Sequence, residues 1–267
     1  MNLEQITKDI CALTKTVGTY ILEQKGHISA DKIETKGLNN FVTQVDKKAE
    51  QMLVNGLSEL IPESGFIAEE NTSIKKGDTY NWIIDPLDGT TNFIHSLPCF
   101  CISIALMRKN EIIIGVVHEL NFDECFYAWE NSFAYMNGNK ISVSKTPHLK
   151  DGLLATGFPF YEYSRLDNYL ALFKYFMKNT HGVRRLGSAA ADLAYVACGR
   201  FDGFYEYSLQ SWDVAGGAFI VQQAGGKVCD FSGGANYLFG QEIVCGNPLI
   251  FDELAKSVKE FMLPRQT

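Results

Sequence analysis

From Phe100 to Ser144 the chain offers four strand-like segments, FCISIALM, IIIGVVHEL, CFYAWE and AYMNGNKISVS, separated by short spacers. A parallel crossover needs a dozen residues or more, usually a helix. The spacers are too short for that, so the segments must run as an antiparallel meander. Asn137-Gly138 inside the last one marks a tight hairpin. Two more buried strand candidates precede the meander, GFIAEE (65–70) and NWIID (81–85).

Helical patterns flank this sheet. Leu3, Ile6, Ile10, Leu13, Val17 and Ile21 recur every three or four residues and predict a helix ending near Lys25-Gly26. Val45, Ala49, Met52, Leu53, Leu57 and Leu60 predict a second, stopped by Pro62. After SKTPHLKDG (144–152) the pattern changes. LLATGF reads as a strand, 164–178 as a helix, GSAAADLAYVACG as a helix of small residues and FDGFYEY as a strand. WDVAGGAFIVQQAGG reads as a helix closed by Gly225-Gly226, and EIVCG and a helix over 248–262 complete the pattern. The expected class is α+β, with mixed and antiparallel sheets covered by helices in layers. No linker or repeat interrupts the pattern, so the 267 residues are expected to form one unit, with sub-lobes about 1–146 and 147–267.

Charge narrows the partners. Lys and Arg number 24 against 31 Asp and Glu, a formal net charge of −7. That argues against nucleic-acid or anionic-membrane binding. It leaves open a phosphorylated ligand, because a bound cation can reverse the local field. No apolar run approaches the length of a bilayer crossing. The opening residues MNLEQITKDICALTK lack the basic-then-apolar pattern of a signal peptide. Seven cysteines without a CxxC pair read as buried thiols, and a cytoplasmic location is expected.

The chemistry concentrates in WIIDPLDGTTNF (82–93), where an apolar run stops at Asp85 and Asp88 follows three residues on. Pro86 forces a bend and Gly89 permits a tight one, so a turn after the strand is expected to carry Asp88 back toward Asp85. Two carboxylates held close repel each other unless a cation sits between them, and a hard divalent ion suits carboxylates and carbonyls such as that of Leu87. Gly89, Thr90 and Thr91 can open a short helix whose N–H groups would suit a phosphate. An ordinary Asp-Pro and Asp-Gly turn remains the alternative. A covalent aspartyl-phosphate is disfavoured, because such phosphatases set two Asp residues two apart near the N-terminus. Glu69 and Glu70 end a neighbouring strand candidate and, alone, read as solvated. Asp213 alone reads as a helix N-cap. Together these are acids at three element ends beside large apolar residues, where burial without a cation is costly.

At these residues the chain resembles the inositol monophosphatases of the magnesium-dependent, lithium-sensitive phosphatase superfamily. The resemblance runs from Lys36 through FVTQVD (41–46), IAEE (67–70) and WIIDPLDGTTNF to RRLGSAAADLAYVACGRFDGFYE (184–206) and WDVAGG (212–217). It covers essentially the whole chain. It implies a layered fold, usually dimeric, and hydrolysis of a small phosphate monoester. Thr91-Asn92 stands where sister phosphatases of adenosine bisphosphates tend to carry Lys-Glu, so the inositol branch and myo-inositol 1-phosphate are implied. Another sugar or nucleotide phosphate, such as fructose 1,6-bisphosphate or histidinol phosphate, and a regulatory protein on the same fold are the alternatives.

The resemblance also implies roles. Glu69, Asp85 and the Leu87 carbonyl would bind a first Mg²⁺, and Asp85, Asp88 and Asp213 a second. Glu69 would help hold a weaker third ion and its water. Thr90, paired with Asp46, would orient the attacking water, and the Gly89 and Thr90 N–H groups would hold the phosphate. Ala189, Glu206 and Asp213 would line the hydroxyl-bearing part of the substrate. Bland alternatives are close packing for Ala189 and an ion pair with Arg184 or Arg185 for Glu206. Asn40 departs from the family pattern, where Asp is common, and would weaken the third site. Gln210-Ser211 fall where relatives differ among themselves. His95, His118, His148 and His181 share no spacing with the acids and are read as structural.

Overall fold

The computed structural model describes residues 1–27, 33–37, 40–159 and 162–263, with backbone alone for 33–37 and 40–42. Lys36 and Asn40 therefore lie outside the described side chains. In the first half α1 (Leu3–Gln24) precedes a hairpin of β1 (Ile33–Gly37) and β2 (Asn40–Thr43), then α2 (Gln44–Leu60). There follow β3 (Gly65–Ala68), β4 (Tyr80–Asp88), the five-residue α3 (Thr90–Ile94), β5 (Cys101–Arg108), β6 (Glu111–Glu119), β7 (Glu124–Trp129), β8 (Ala134–Met136) and β9 (Asn139–Ile141). The second half holds β10 (Leu153–Thr156), α4 (Leu166–Asn179), β11 (Gly182–Arg184), α5 (Ala189–Ala197), β12 (Gly203–Tyr207), α6 (Ser211–Gln223), β13 (Lys227–Cys229), β14 (Glu242–Gly246) and α7 (Phe251–Met262).

The expected meander is the core of a seven-stranded sheet, ordered β3-β4-β5-β6-β7-β8-β9. Only β3 and β4 run parallel; every later pair is antiparallel. A second sheet runs β11-β10-β12-β14-β13, with β10 parallel to both neighbours and the other pairs antiparallel.

Hydrophobic patterning fixes the layers. The apolar stripes of α1 and α2 pack on one face of the large sheet, against Trp82, Ile84, Ile102 and Ile104. α5 and α6 carry no polar side. Every residue of α5 is buried, and a helix apolar all round must lie inside. Both fill the space between the sheets, touching Val117, Phe126 and Ala128 on one and Ala155, Phe204, Ile243 and Cys245 on the other. α4 and α7 cover the outer face of the small sheet through Tyr169, Leu172, Phe176, Leu254 and Val258. The order is helix, sheet, helix, sheet, helix, the α+β arrangement expected from the sequence. Gly216 sets the depth at which α6 lies: a Cβ there would meet the Ile104 carbonyl at 3.0 Å and Ser103 Oγ at 3.1 Å.

The differences from expectation are local. β1, β2, β11 and β13 were not foreseen, being three to five residues long with too few side chains to show a period. β3 stops at Ala68, so Glu69 and Glu70 lie in the turn after it. β4 runs to Asp88 rather than ending at Asp85. The seven cysteines are free thiols, among them buried Cys99, Cys101, Cys229 and Cys245. Among the described residues no helix is long and apolar enough to cross a membrane.

Candidate metal and substrate site

In a regular strand, residues three apart point to opposite faces. Asp85 and Asp88 nevertheless share one face, and the sheet register shows why. Asp85 pairs with Ser103 and Asp88 with Cys101, so three steps on β4 match two on β5. The extra residue is a β-bulge, which resets the alternation and brings both carboxylates to the side occupied by α5 and α6. Pro86, with no N–H to give a ladder, is tolerated at such a bulge. The predicted turn after Asp85 is therefore a bulge within a continuing strand, with the same consequence for the two acids. The Leu87 N–H donates to Asp85 Oδ1 at 2.9 Å and fixes that side chain.

The third carboxylate comes from the other half of the chain. Asp213 is the third residue of α6 rather than its N-cap, which is Gln210. Its Oδ2 accepts the Gln210 N–H at 2.6 Å, so it does satisfy an orphan donor of the helix start. The same carboxylate reaches the bulge. Asp85, Asp88 and Asp213 each offer an oxygen within 4.8 Å of the others. Ser103 Oγ ties β5 to this first turn by donating to the Trp212 carbonyl at 3.2 Å.

Electrostatics shows what the arrangement lacks. Burial, then the charges of Glu69, Asp88 and Asp213, push the Asp85 carboxyl well above the usual carboxylate range. Asp213 is pushed up likewise by burial, by Asp88 and by Glu69. Asp88 is raised by burial but eased by its donors: Ser188 Oγ and the Ala190 N–H both reach its Oδ2 at 2.7 Å. The cavity around these acids is lined also by Glu69, Leu87, Gly89, Thr90, Thr91, Ala189 and Glu206, and among the described residues its lining contains neither His nor Cys. Carboxylates that repel one another when ionised, beside a backbone carbonyl, fit a hard, oxygen-loving divalent cation.

The turn beyond β4 completes the site. Gly89 takes a left-handed conformation, φ 92°, and starts α3. Thr90 Oγ1 lies 3.1 Å from Asp46 Oδ1 and 3.0 Å from the Leu87 carbonyl, close enough to donate to either. Asp46 is itself held by the capping box of α2, where the Thr43 N–H and hydroxyl both donate to its Oδ2. Glu206 is buried on β12, and its carboxyl is pushed well up by burial and by Asp192, Asp213 and Asp88, while Arg185 pulls it down. Glu206 thus lines the cavity with the charge of Arg185 acting on it.

Every site residue expected from the sequence is found around this cavity, with Asp46 just behind Thr90. The sequence reading missed the supports. Buried Glu50 accepts the Glu70 N–H at 2.7 Å and the Thr72 N–H at 2.8 Å, fixing the turn that carries Glu69. Asn92 Nδ2 donates to the Cys99 carbonyl at 2.7 Å and to the Leu186 carbonyl at 2.8 Å, tying α3 to the segment before α5. Ser188 and Asp192 were also missed. Asp192 is the single acid in an otherwise apolar helix, a signal that was present in GSAAADLAYVACG.

Comparison with known proteins identifies the family and the fold. The model of the inositol monophosphatase family matches residues 2–263. An inositol-1-monophosphatase of Mesorhizobium japonicum is 40% identical over 244 residues, 91% of this chain and 92% of that protein. A Nus factor SuhB of Pseudomonas aeruginosa is 40% identical over 255 residues, 94% of each chain. The structure of a Thermotoga maritima IMPase superposes with a TM-score of 0.87 at 35% identity, covering 98% of both chains.

Proposed function

Because the chain belongs to the inositol monophosphatase family, we propose that it is a Mg²⁺-dependent phosphomonoesterase converting myo-inositol 1-phosphate to inositol and phosphate by direct attack of water. One observation carries the reading: three carboxylates from two distant segments converge within 4.8 Å, all raised by burial, and Asp85 and Asp213 also by the neighbouring acids. Burying them together without a cation costs several kcal/mol. Asp85, Asp88, Asp213, Glu69 and the Leu87 carbonyl are the proposed ligands. Bound Mg²⁺ would acidify a water and neutralise charge on the attacking and leaving oxygens.

The remaining residues position and orient. Thr90, donating its hydroxyl proton to Asp46, keeps lone pairs with which to accept from the attacking water. Glu69 would help to hold a weaker third ion and its water. The Gly89 and Thr90 N–H groups would receive the phosphate oxygens. Ala189, Glu206 and Asp213 would face the hydroxyls of the alcohol. We further infer a cytoplasmic homodimer inhibited by lithium, in keeping with the family.

The test is phosphate release from a panel of esters, with and without Mg²⁺. Inositol 1-phosphate should exceed fructose 1,6-bisphosphate, histidinol phosphate and adenosine 3′,5′-bisphosphate in kcat/KM, with turnover abolished by chelator and inhibited by lithium. Undiminished hydrolysis in chelator would overturn the metal mechanism; a different order of esters would overturn the substrate. A second reading, a binding role beside catalysis, is supported by the relative named Nus factor SuhB. An Asp85→Asn protein separates the two, because a binding role would survive it.

A further inference from the structure

Asp192 stands apart from the proposed metal carboxylates. It lies on α5, is 1% exposed, and its Oδ1 has no hydrogen-bond partner among the described residues. A buried carboxylate oxygen left unpaired is strongly destabilising. The other residues of α5 are apolar and packed between two sheets, so the position would be better filled by an apolar side chain if packing were its only task. Asp192 also lines the cavity, together with Gly157, Ala189 and Glu206. Ala189 and Asp192 are three residues apart on a helix and so share a face. In the same first turn, Ser188 and Ala190 hold Asp88.

Glu206 completes the floor. Its carboxylate lies against Gly157, where a Cβ would come within 1.9–2.2 Å of it. The absence of a side chain at 157 leaves room for that carboxylate beside Asp192. Arg185 lines the same cavity, and its charge acts on both acids.

We propose that Asp192 Oδ1 accepts a hydroxyl of the substrate, forming with Glu206 a two-carboxylate floor that selects phosphate esters of polyols over esters whose alcohol carries no hydroxyls. A polyol presents several O–H donors and can satisfy both acceptors at once. An aryl ester presents none and leaves the Asp192 oxygen unpaired, the kind of mismatch that discriminates strongly. The proposal rests on the phosphomonoesterase reading, and it makes Asp192 a specificity residue rather than a metal ligand.

The test compares wild type, Asp192→Asn and Asp192→Leu in three measurements with Mg²⁺ present. These are kcat/KM for inositol 1-phosphate, for glycerol 2-phosphate and for p-nitrophenyl phosphate. The melting temperature of the metal-free proteins is measured alongside. The ratio of polyol ester to aryl ester should fall by roughly tenfold in the Asn variant, which keeps an oxygen acceptor, and further in the Leu variant, chiefly through KM. Both variants should melt higher than wild type. An unchanged ratio, or an equal loss on all three esters with a lower melting temperature, would overturn the proposal and leave Asp192 a structural residue. If wild type prefers glycerol 2-phosphate to inositol 1-phosphate, the inositol assignment fails while the polyol-to-aryl ratio still reports on Asp192.

Discussion

The Ser188 hydroxyl donates to Asp88 Oδ2 at 2.7 Å, across 100 residues of chain. Asp88 ends a strand of the large sheet, and Ser188 is the N-cap of α5 in the layer between the sheets. With the Ala190 N–H at 2.7 Å it aims one carboxylate oxygen and leaves the other for a cation. Partners that orient a ligand in this way typically contribute about 10–100-fold to metal affinity or activity. Ser188→Ala should therefore raise the Mg²⁺ concentration for half-maximal activity by about tenfold, with maximal turnover recovered at high Mg²⁺. A magnesium titration of initial rates checks this; a superimposable titration would remove Ser188 from the site.

Asp85 is the most deeply buried of the three acids, 2% exposed. Asp85→Asn keeps an oxygen for the Leu87 N–H, so the bulge should persist. It removes a charge that Glu69, Asp88 and Asp213 all oppose. Turnover should fall by at least about 100-fold, the scale of losing one preorganised electrostatic contact. The metal-free variant should melt above the metal-free wild type, by about 2–4 °C for each kcal/mol of relieved repulsion. Scanning calorimetry in chelator gives the second quantity, and a variant that melts lower would show that Asp85 supports the fold by some other route.

The same repulsion sets a pH dependence with a definite sign. An unfolded aspartate titrates near about 3.9, whereas Asp85, Asp88 and Asp213 are all raised in the fold. Between the unfolded value and the raised folded values the native state binds more protons than the unfolded one. The contribution of these groups to stability is therefore present at low pH and lost as pH rises through that window. Bound cation reverses the penalty, because it favours the ionised form. The Mg²⁺-induced rise in melting temperature should thus grow as pH rises above the unfolded aspartate value, a series measurable by thermal shift. A rise independent of pH would show that the acids are already ionised without metal.

Legibility in the sequence followed the length and regularity of each signal. The meander was readable because its strands are apolar and its spacers short, and α1 because six apolar residues repeat over six turns. Asp85, Asp88 and Asp213 could be singled out as acids beside apolar runs. Their convergence could not be derived that way, since it depends on a one-residue bulge and on how closely Gly216 lets α6 approach the sheet. A strand ending at Asp85 and a strand bulged at Pro86 have the same local sequence; only pairing with Ser103 and Cys101 distinguishes them. Ser188 and Glu50 were missed because a small hydroxyl or an acid on a helix is unremarkable until its long-range partner is known.

Asp213 combines the two roles that its sequence left open, and a single substitution separates them. One oxygen accepts the Gln210 N–H at 2.6 Å, as the start of α6 requires. The carboxylate also stands within 4.8 Å of Asp85 and Asp88. Asn serves a helix start about as well as Asp, so Asp213→Asn preserves the first role. Its cost there is the helix-dipole contribution of one charge, about 0.3–1 kcal/mol. It also relieves repulsion with Asp88 and Glu69, which opposes that loss. The metal-free variant should accordingly melt close to wild type. The second role depends on the charge. With one of three carboxylates gone, a hard cation loses much of its attraction, and the leaving oxygen loses stabilisation. Turnover should drop by at least about 100-fold, and the Mg²⁺-induced thermal shift should shrink, because a ligand stabilises the folded state only in proportion to its binding. Wild-type turnover together with a wild-type magnesium shift would reduce Asp213 to a helix-start residue and leave the two halves of the chain without a shared metal site.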